Sequence, residues 1–507
     1  MTKPRFNFVG PLVCGLAILL AAAATNAHAD VKLPAIFSDH MVLQRDTPVP
    51  VWGWAEPGEV VTVSIAGQTK TATTDAAGKW SVKLDKLSAG GALTLAVSGK
   101  NKISVSDVLV GEVWLCSGQS NMHFRMNRVE HSQEEIAAAN NPSVRFFSVE
   151  EQFAQKPATN VNGAWKPVSP ATAAECSAVA YYFARALQQK LNVPIGLVVS
   201  SVGGTRIETW MQPKTLATLG ASPVLLEKWK NVSPDEFEKI DTAYAEFQKQ
   251  RDVIHPQAVK DAKAPGQPVP PAPERPAMRC HDCPGALHNG MIAPLQPFAI
   301  RGAVWYQGEA NSSQAANYEK LQPALIADWR RAWGDELPFL FVQLPPYKAT
   351  PPAFREAQFR IWQRTPQTAM AVTTDVGDAE NIHPTRKQPV GERLALAARA
   401  LSYGEQLEYS GPVFKSMSVE SNRVVVSFAH VGDGLVAKNG SLKGFTVAGA
   451  DRKFHDARAV IEHSTVILTS ENVVKPIAVR YGWANNPDCN LYNRAGLPAS
   501  PFRTDTK

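Results

Sequence analysis

Five short apolar runs, each leading into a turn of glycine and polar residues, constrain this chain more than any other feature. They span 108–116, 194–200, 300–306, 338–344 and 369–374. Their predominantly apolar character is that of strands buried on both faces. Between the first two lies 177–191, where Val179, Tyr182, Phe183, Ala186 and Leu187 recur at helical spacing. Repeated strand-helix units predict an α/β fold, a parallel sheet with helices on both faces. Open sheets of this kind bind ligands beyond the C-terminal ends of their strands. The residues just after each run are therefore where chemistry is expected.

The flanks read differently. In 30–105, Val61, Val63 and Ile65 alternate with Thr62 and Ser64, and Trp80, Val82 and Leu84 alternate with Ser81 and Lys83. Turn clusters at Glu56-Pro57-Gly58 and 75–78 separate such runs, as in a small β-sandwich. From 410 to 507 the β pattern returns at 424–428, 466–468 and 477–481, with Gly432, Gly434, Gly440 and Gly444 supplying turns. The α/β region thus occupies 106–409. An insertion, 222–277, interrupts it. Its first part, 222–252, is charged and helix-like around Leu225, Leu226 and Trp229. Its second, 256–276, is rich in Pro and Lys and reads as an extended surface loop.

The chain begins with Lys3 and Arg5, an apolar stretch over 8–24 and Ala27-His28-Ala29 before Asp30. This is the pattern of a secretory signal peptide, 1–29, and implies export to the periplasm or outside the cell. No later run is long enough for a membrane span. A formal charge of +6 over 507 residues is mild and calls for no nucleic-acid partner. Of six cysteines, Cys14 belongs to the leader. Cys280 and Cys283 form the only close pair, read as a local disulfide or two thiols. No second ligand pair stands at zinc spacing, so no metal and no cofactor are expected. Oligomeric state is not legible.

Four motifs follow the apolar runs. Gly118-Gln119-Ser120-Asn121-Met122 places a serine past the first run; its spacing is not that of the G-x-S-x-G elbow. Gly203-Gly204-Thr205 follows the second, where glycine lets backbone N–H groups approach an oxyanion. Trp305-Tyr306-Gln307-Gly308-Glu309-Ala310-Asn311 follows the third, and Gln307 or Asn311 offers a side-chain donor. Asp375 to His383 reads D-V-G-D-A-E-N-I-H and supplies a histidine with carboxylates upstream. Each motif has a plain structural reading as a cap, a turn or a bonded loop. Together they form a complete set for acyl transfer through a serine ester.

The run Val113-Trp114-Leu115-Cys116-Ser117-Gly118-Gln119-Ser120-Asn121-Met122, the Gly203-Gly204-Thr205 turn, the Trp305-Tyr306-Gln307-Gly308-Glu309 run and Ile382-His383-Pro384 with Lys387 resemble the sialate O-acetylesterase-like carbohydrate esterases of the SGNH hydrolase superfamily. The resemblance implies a flavodoxin-like sheet, Ser120 as nucleophile and His383 as base. It also implies an oxyanion hole from the Ser120 N–H, Gly203 or Gly204, and Gln307 or Asn311. Many superfamily members carry Asp three residues before the histidine; here that residue is Glu380. Glu380 and Asp378 rank together as the orienting acid, with Asp375 behind, and a Ser–His dyad stays open.

The implied substrate is an acetylated carbohydrate, either sialate or a plant cell-wall polysaccharide such as xylan or xyloglucan. Trp210, Trp305, Tyr306 and Tyr347 are candidates to stack on sugars, Arg206 to meet an acidic group, and Glu309 to line the site. Core packing and a surface ion pair are the competing readings. A rival class is a sugar-binding protein on a decayed hydrolase scaffold.

Overall fold

The computed structural model describes residues 1–2, 30–261, 271–334 and 336–505. The expected leader falls, but for its first two residues, outside this range. Alternation in the N-terminal region builds β1 (Val49–Trp54) and β2 (Lys79–Leu84), antiparallel, with Val51 opposite Val82. Period two buries Val49, Val51, Val82 and Leu84 and turns Trp52, Trp54, Lys79 and Ser81 to the other face. The next labelled strand, β3 (Lys102–Gly118), is 17 residues long and changes character along its length. Its first half alternates and pairs antiparallel with Gly90–Ser98. Residues 110–118 are all buried and form the middle of the parallel sheet. The strand runs through positions 105–106 without a break.

That sheet contains β4 (Asn141–Ser148), β5 (Ile195–Ser201), β6 (Gly302–Tyr306), β7 (Phe339–Val342) and β8 (Thr368–Ala371), in the order β8-β7-β6-β3-β5-β4. These strands are mutually parallel, and Trp165–Val168 closes the β4 edge antiparallel. The chain steps outward on different sides of β3, which makes β3 a topological switch point. Register sets Gly118 opposite both Ser201 and Tyr306, so three strand ends are level.

Helices cover the sheet in two pairs. After the one-turn α1 (Ser120–His123), α2 (Ala178–Leu191) starts where the Ser177 hydroxyl accepts from the Ala180 N–H at 3.3 Å. It ends at Asn192, in the left-handed region. The second pair is α3 (Ala315–Trp333) and α4 (Pro352–Arg364), joined by Tyr318 and Phe354 with rings 4.6 Å apart. The last helix, α5 (Gln388–Tyr403), lays Gly391 against Val179 and Tyr182 of α2.

The insertion is helical at Pro223–Trp229 and Pro234–Lys249, as its charge pattern predicts. Helix also continues over His255–Asp261, where the sequence reads as extended loop. The chain passes through a π turn at Gln250–Ile254 just before Pro256. The wider turn accommodates a residue with no N–H, which a regular α ladder rejects. Residues 413–503 form two four-stranded antiparallel sheets and a two-stranded one, Leu435–Ala437 with Leu491–Asn493, with their own core around Val424, Phe445, Val466 and Tyr481. This region grips the loops after β7 and β8. Gln343 donates to Ser500, Thr374 to the Ala499 carbonyl, and Asn485 to the Lys348 carbonyl. No helix among the described residues is long and apolar enough to cross a membrane.

Candidate active site

Ser120 opens α1, immediately after the strand end at Gly118. Gly118 has φ +139, and a side chain there would strike the Tyr306 carbonyl, so only glycine lets β3 and β6 end side by side. His383 comes from the loop after β8, 263 residues later. Its Nε2 lies 2.8 Å from Ser120 Oγ. The pair is half-buried, between the strand ends and the solvent.

The Gly203-Gly204 turn sits directly against the serine. A methyl on Gly203 would lie 3.5 Å from Ser120 Cβ. Gly204 has φ +70, which a side chain disfavours. Among the described residues, the N–H groups of Ser120, Gly203 and Gly204 donate to no protein acceptor. Uncommitted N–H groups on a turn beside a hydroxyl are of the kind that can receive an anion forming on a carbonyl.

The side-chain amides do other work. Gln307 is fully buried; its Nε2 donates to Gln119 Oε1, the Thr205 carbonyl and Asn311 Oδ1 at 3.1, 3.1 and 2.9 Å. Its Oε1 accepts from Tyr318. Asn311 accepts from the Ile207 N–H and donates to Glu208. Both hydrogens of Gln307 are thus committed, and Asn311 gives one of its two to Glu208. Both side chains lock the glycine turn to the loop after β6, and Gln119 adds a bond to the Gly308 N–H.

A second network, not predicted from the sequence, lies behind the histidine. Asn121 Nδ2 donates to Glu309 Oε1 at 2.5 Å and to the Ile382 carbonyl at 3.0 Å, so it holds the residue preceding His383. The buried Lys387 ammonium donates to Asn121 Oδ1 at 2.5 Å. Burial lowers the Lys387 pKa to about 7, against the pull of Glu309. Burial raises that of Glu309, whose Oε2 has no partner among the described residues. The visible signal was the run of polar residues, Asn121 included, next to the serine; their partners were not readable.

None of the three candidate acids touches the imidazole. Glu380 is exposed and paired with Lys348 at 2.5 Å. Asp378 accepts from the N–H groups of Glu380 and Asn381 and so shapes the turn. Asp375 makes two 2.7 Å bonds to Arg393. Burial alone would raise its pKa, but that pairing holds it below the usual carboxylate range. The backbone N–H of His383 donates to Asn381 Oδ1 at 2.9 Å, which fixes the turn rather than the ring. Burial, then Lys387 and Arg128, lower the imidazole pKa, which keeps it neutral and able to take a proton.

The aromatic candidates are interior. Trp210, Trp305 and Tyr306 are at most 1% exposed. Trp305 packs edge-on against Trp210 and Trp329. With no ring face open, these three have no surface on which a sugar can stack. Glu309 is bonded inward to Asn121. Arg206 is half-exposed, 3.4 Å from Asp282, and lines a cleft with Glu208, Ser222 and Lys228. Tyr347 is half-buried. Cys280 and Cys283 are buried free thiols, and burial raises the Cys116 thiol pKa, leaving it inert.

Residues 110–223 and 286–400, which carry all four motifs, match a family described as carbohydrate esterase, sialic acid-specific acetylesterase. Sialate O-acetylesterase of Mus musculus is 30% identical over 97% of this chain and 98% of its own length. The Homo sapiens enzyme is 29% identical over 97% of this chain and 96% of its own. Among solved structures, a carbohydrate acetylesterase from Xanthomonas citri superposes with a TM-score of 0.80 at 38% identity, covering 94% of this chain and 100% of that one. With the fold, the paired strand ends and near full-length similarity in agreement, this chain belongs to the sialate O-acetylesterase family and is a carbohydrate O-acetylesterase.

Proposed function

We propose that the chain is an exported serine esterase that removes O-acetyl groups from carbohydrate through an acetyl-Ser120 intermediate. The 2.8 Å contact between Ser120 Oγ and His383 Nε2 carries this reading. His383 takes the Ser120 proton as Oγ attacks the acetyl carbon. The N–H groups of Ser120, Gly203 and Gly204 receive the oxyanion. The intermediate collapses, the sugar oxygen leaves with the proton from His383, and the acetyl group stays on Ser120 Oγ. Water, deprotonated by His383, then attacks the ester and frees acetate and Ser120. The commitments of Glu380, Asp378 and Asp375 to other partners support a Ser120–His383 dyad.

Gln307, Asn311 and Asn121 act as positioning residues. The substrate is an acetyl ester of sialate or of a polysaccharide such as xylan or xyloglucan, and export rests on the 1–29 leader pattern. Ser120→Ala should lower acetate release from p-nitrophenyl acetate by roughly three orders of magnitude or more while the fold persists. Unchanged turnover in that variant would end the assignment. Acetate release from acetylated sialate, xylan and xyloglucan identifies the glycan.

A further inference from the structure

A cleft of about 710 Å³ lies between the N-terminal β region and the α/β core, lined by none of the residues around Ser120 and His383. One wall is the outward face of β1 and β2. Trp52 and Trp54 stand two residues apart on one strand and so share that face. Ser81 lies opposite Trp52 and Lys79 opposite Trp54. The facing wall comes from 157–159 and from Ala293, Pro294 and Pro297.

Two observations set this cleft apart from an ordinary surface gap. Two half-exposed tryptophans on one strand face lie about 7 Å apart along the chain, a short aromatic platform. Trp52 is held in place edge-on to Phe37, with rings 4.7 Å apart. Thr73, Asp75, Lys79 and Ser81 rim the platform with exposed hydrogen-bonding groups. Trp80, 3% exposed on the inward face of β2, closes the floor of the cleft and ties it to the core.

Flat apolar faces ringed by donors and acceptors match a pyranose, whose C–H face is apolar and whose rim is hydroxyl. Lys79 and Asp75 have opposite charges, so nothing here selects an anion. Both walls share one continuous core, in which Val49, Trp80, Leu295 and Phe298 all take part. The cleft is therefore built into the fold.

We propose that this cleft is a second carbohydrate-binding site, which holds a neutral polysaccharide chain apart from the Ser120 centre. It rests on the carbohydrate-esterase reading above and narrows the substrate to acetyl esters carried on a polymer.

The test is affinity electrophoresis of the full chain in gels containing xyloglucan, xylan or polysialic acid. A neutral polysaccharide should retard the wild type. Trp54→Ala should weaken that binding about tenfold or more and lower kcat/KM on the matching acetylated polymer, with p-nitrophenyl acetate turnover within about twofold. The paired exposed-site variant Lys79→Ala/Ser81→Ala, which disturbs no core residue, should weaken binding in the same direction. Equal retardation of wild type and both variants, or retardation by polysialic acid alone or by none of the three, would overturn the proposal. Ser120→Ala should bind as the wild type does. Turnover surviving in Ser120→Ala strikes the serine mechanism alone, whereas Trp54-independent binding strikes the cleft alone.

Discussion

Among the described residues, the charges that act on the His383 imidazole are two cations, Lys387 and Arg128, and that asymmetry has a measurable sign. Burial, Lys387 and Arg128 disfavour the imidazolium, so the base form persists below the usual histidine range near pH ~6.5. The acid limb of kcat/KM on p-nitrophenyl acetate should therefore fall below that pH. Lys387→Met removes a cation, stabilises the imidazolium and should move the limb upward; a limb that stays put would remove Lys387 from the electrostatics of the base. Glu309 and the Tyr306 ring also face Lys387, and Glu309 opposes its loss of charge. Asn121→Ala should reduce kcat about 10- to 100-fold, because the Ile382 carbonyl, Glu309 and Lys387 lose a shared partner, each buried group costing ~1–3 kcal/mol. A drop confined to KM would contradict that role. Ser120 and His383 were visible in the sequence because each follows an apolar run. The direction of an amide was not: Gln307 stands where a donor is needed, yet its hydrogens go to Thr205, Gln119 and Asn311, and one of the Asn311 hydrogens goes to Glu208.

Turns and caps hold these side chains to the sheet. Ser177 both caps α2 and donates to the Met122 carbonyl at 2.6 Å, which ties the nucleophile turn to the helix beneath it. Ser177→Ala should cost about 1 kcal/mol or more and lower the melting temperature. Gly204→Ala should cost ~1–2 kcal/mol from the left-handed backbone alone and lower kcat/KM by distorting a free donor. A variant that melts earlier but turns over normally would separate the turn's stability from its role beside the serine. The strands with continuous apolar runs were legible because parallel strands bury both faces. Strand β4 was not, because Pro142 and Arg145 break its pattern. Arg145 is 4% exposed and donates to Asp107, a partner 38 residues earlier, so its burial depends on the tertiary fold. Trp305 lies inside the 300–306 run, whose buried-strand reading agrees with its place in the core, whereas local pattern left Trp210 open between core and sugar cleft.

The C-terminal sheets brace the loops after β7 and β8, the second of which carries His383. Arg355, fully buried on α4, donates to the carbonyls of Thr350, Ala484 and Asn485, and so joins both regions. Arg355→Ala should destabilise the chain by ~3 kcal/mol or more, read by urea unfolding, because several buried carbonyls lose their donor. Activity should fall with it, through loosened loops after β7 and β8. The seventeen-residue strand has a different consequence. Because β3 serves the N-terminal β region with one half and the catalytic sheet with the other, a truncation beginning at residue 106 would expose an unpaired, apolar edge of the kind that recruits other chains into aggregates. The N-terminal region is thus not a detachable accessory, and enzymes of this build should inherit or exchange it only together with the nucleophile-bearing strand.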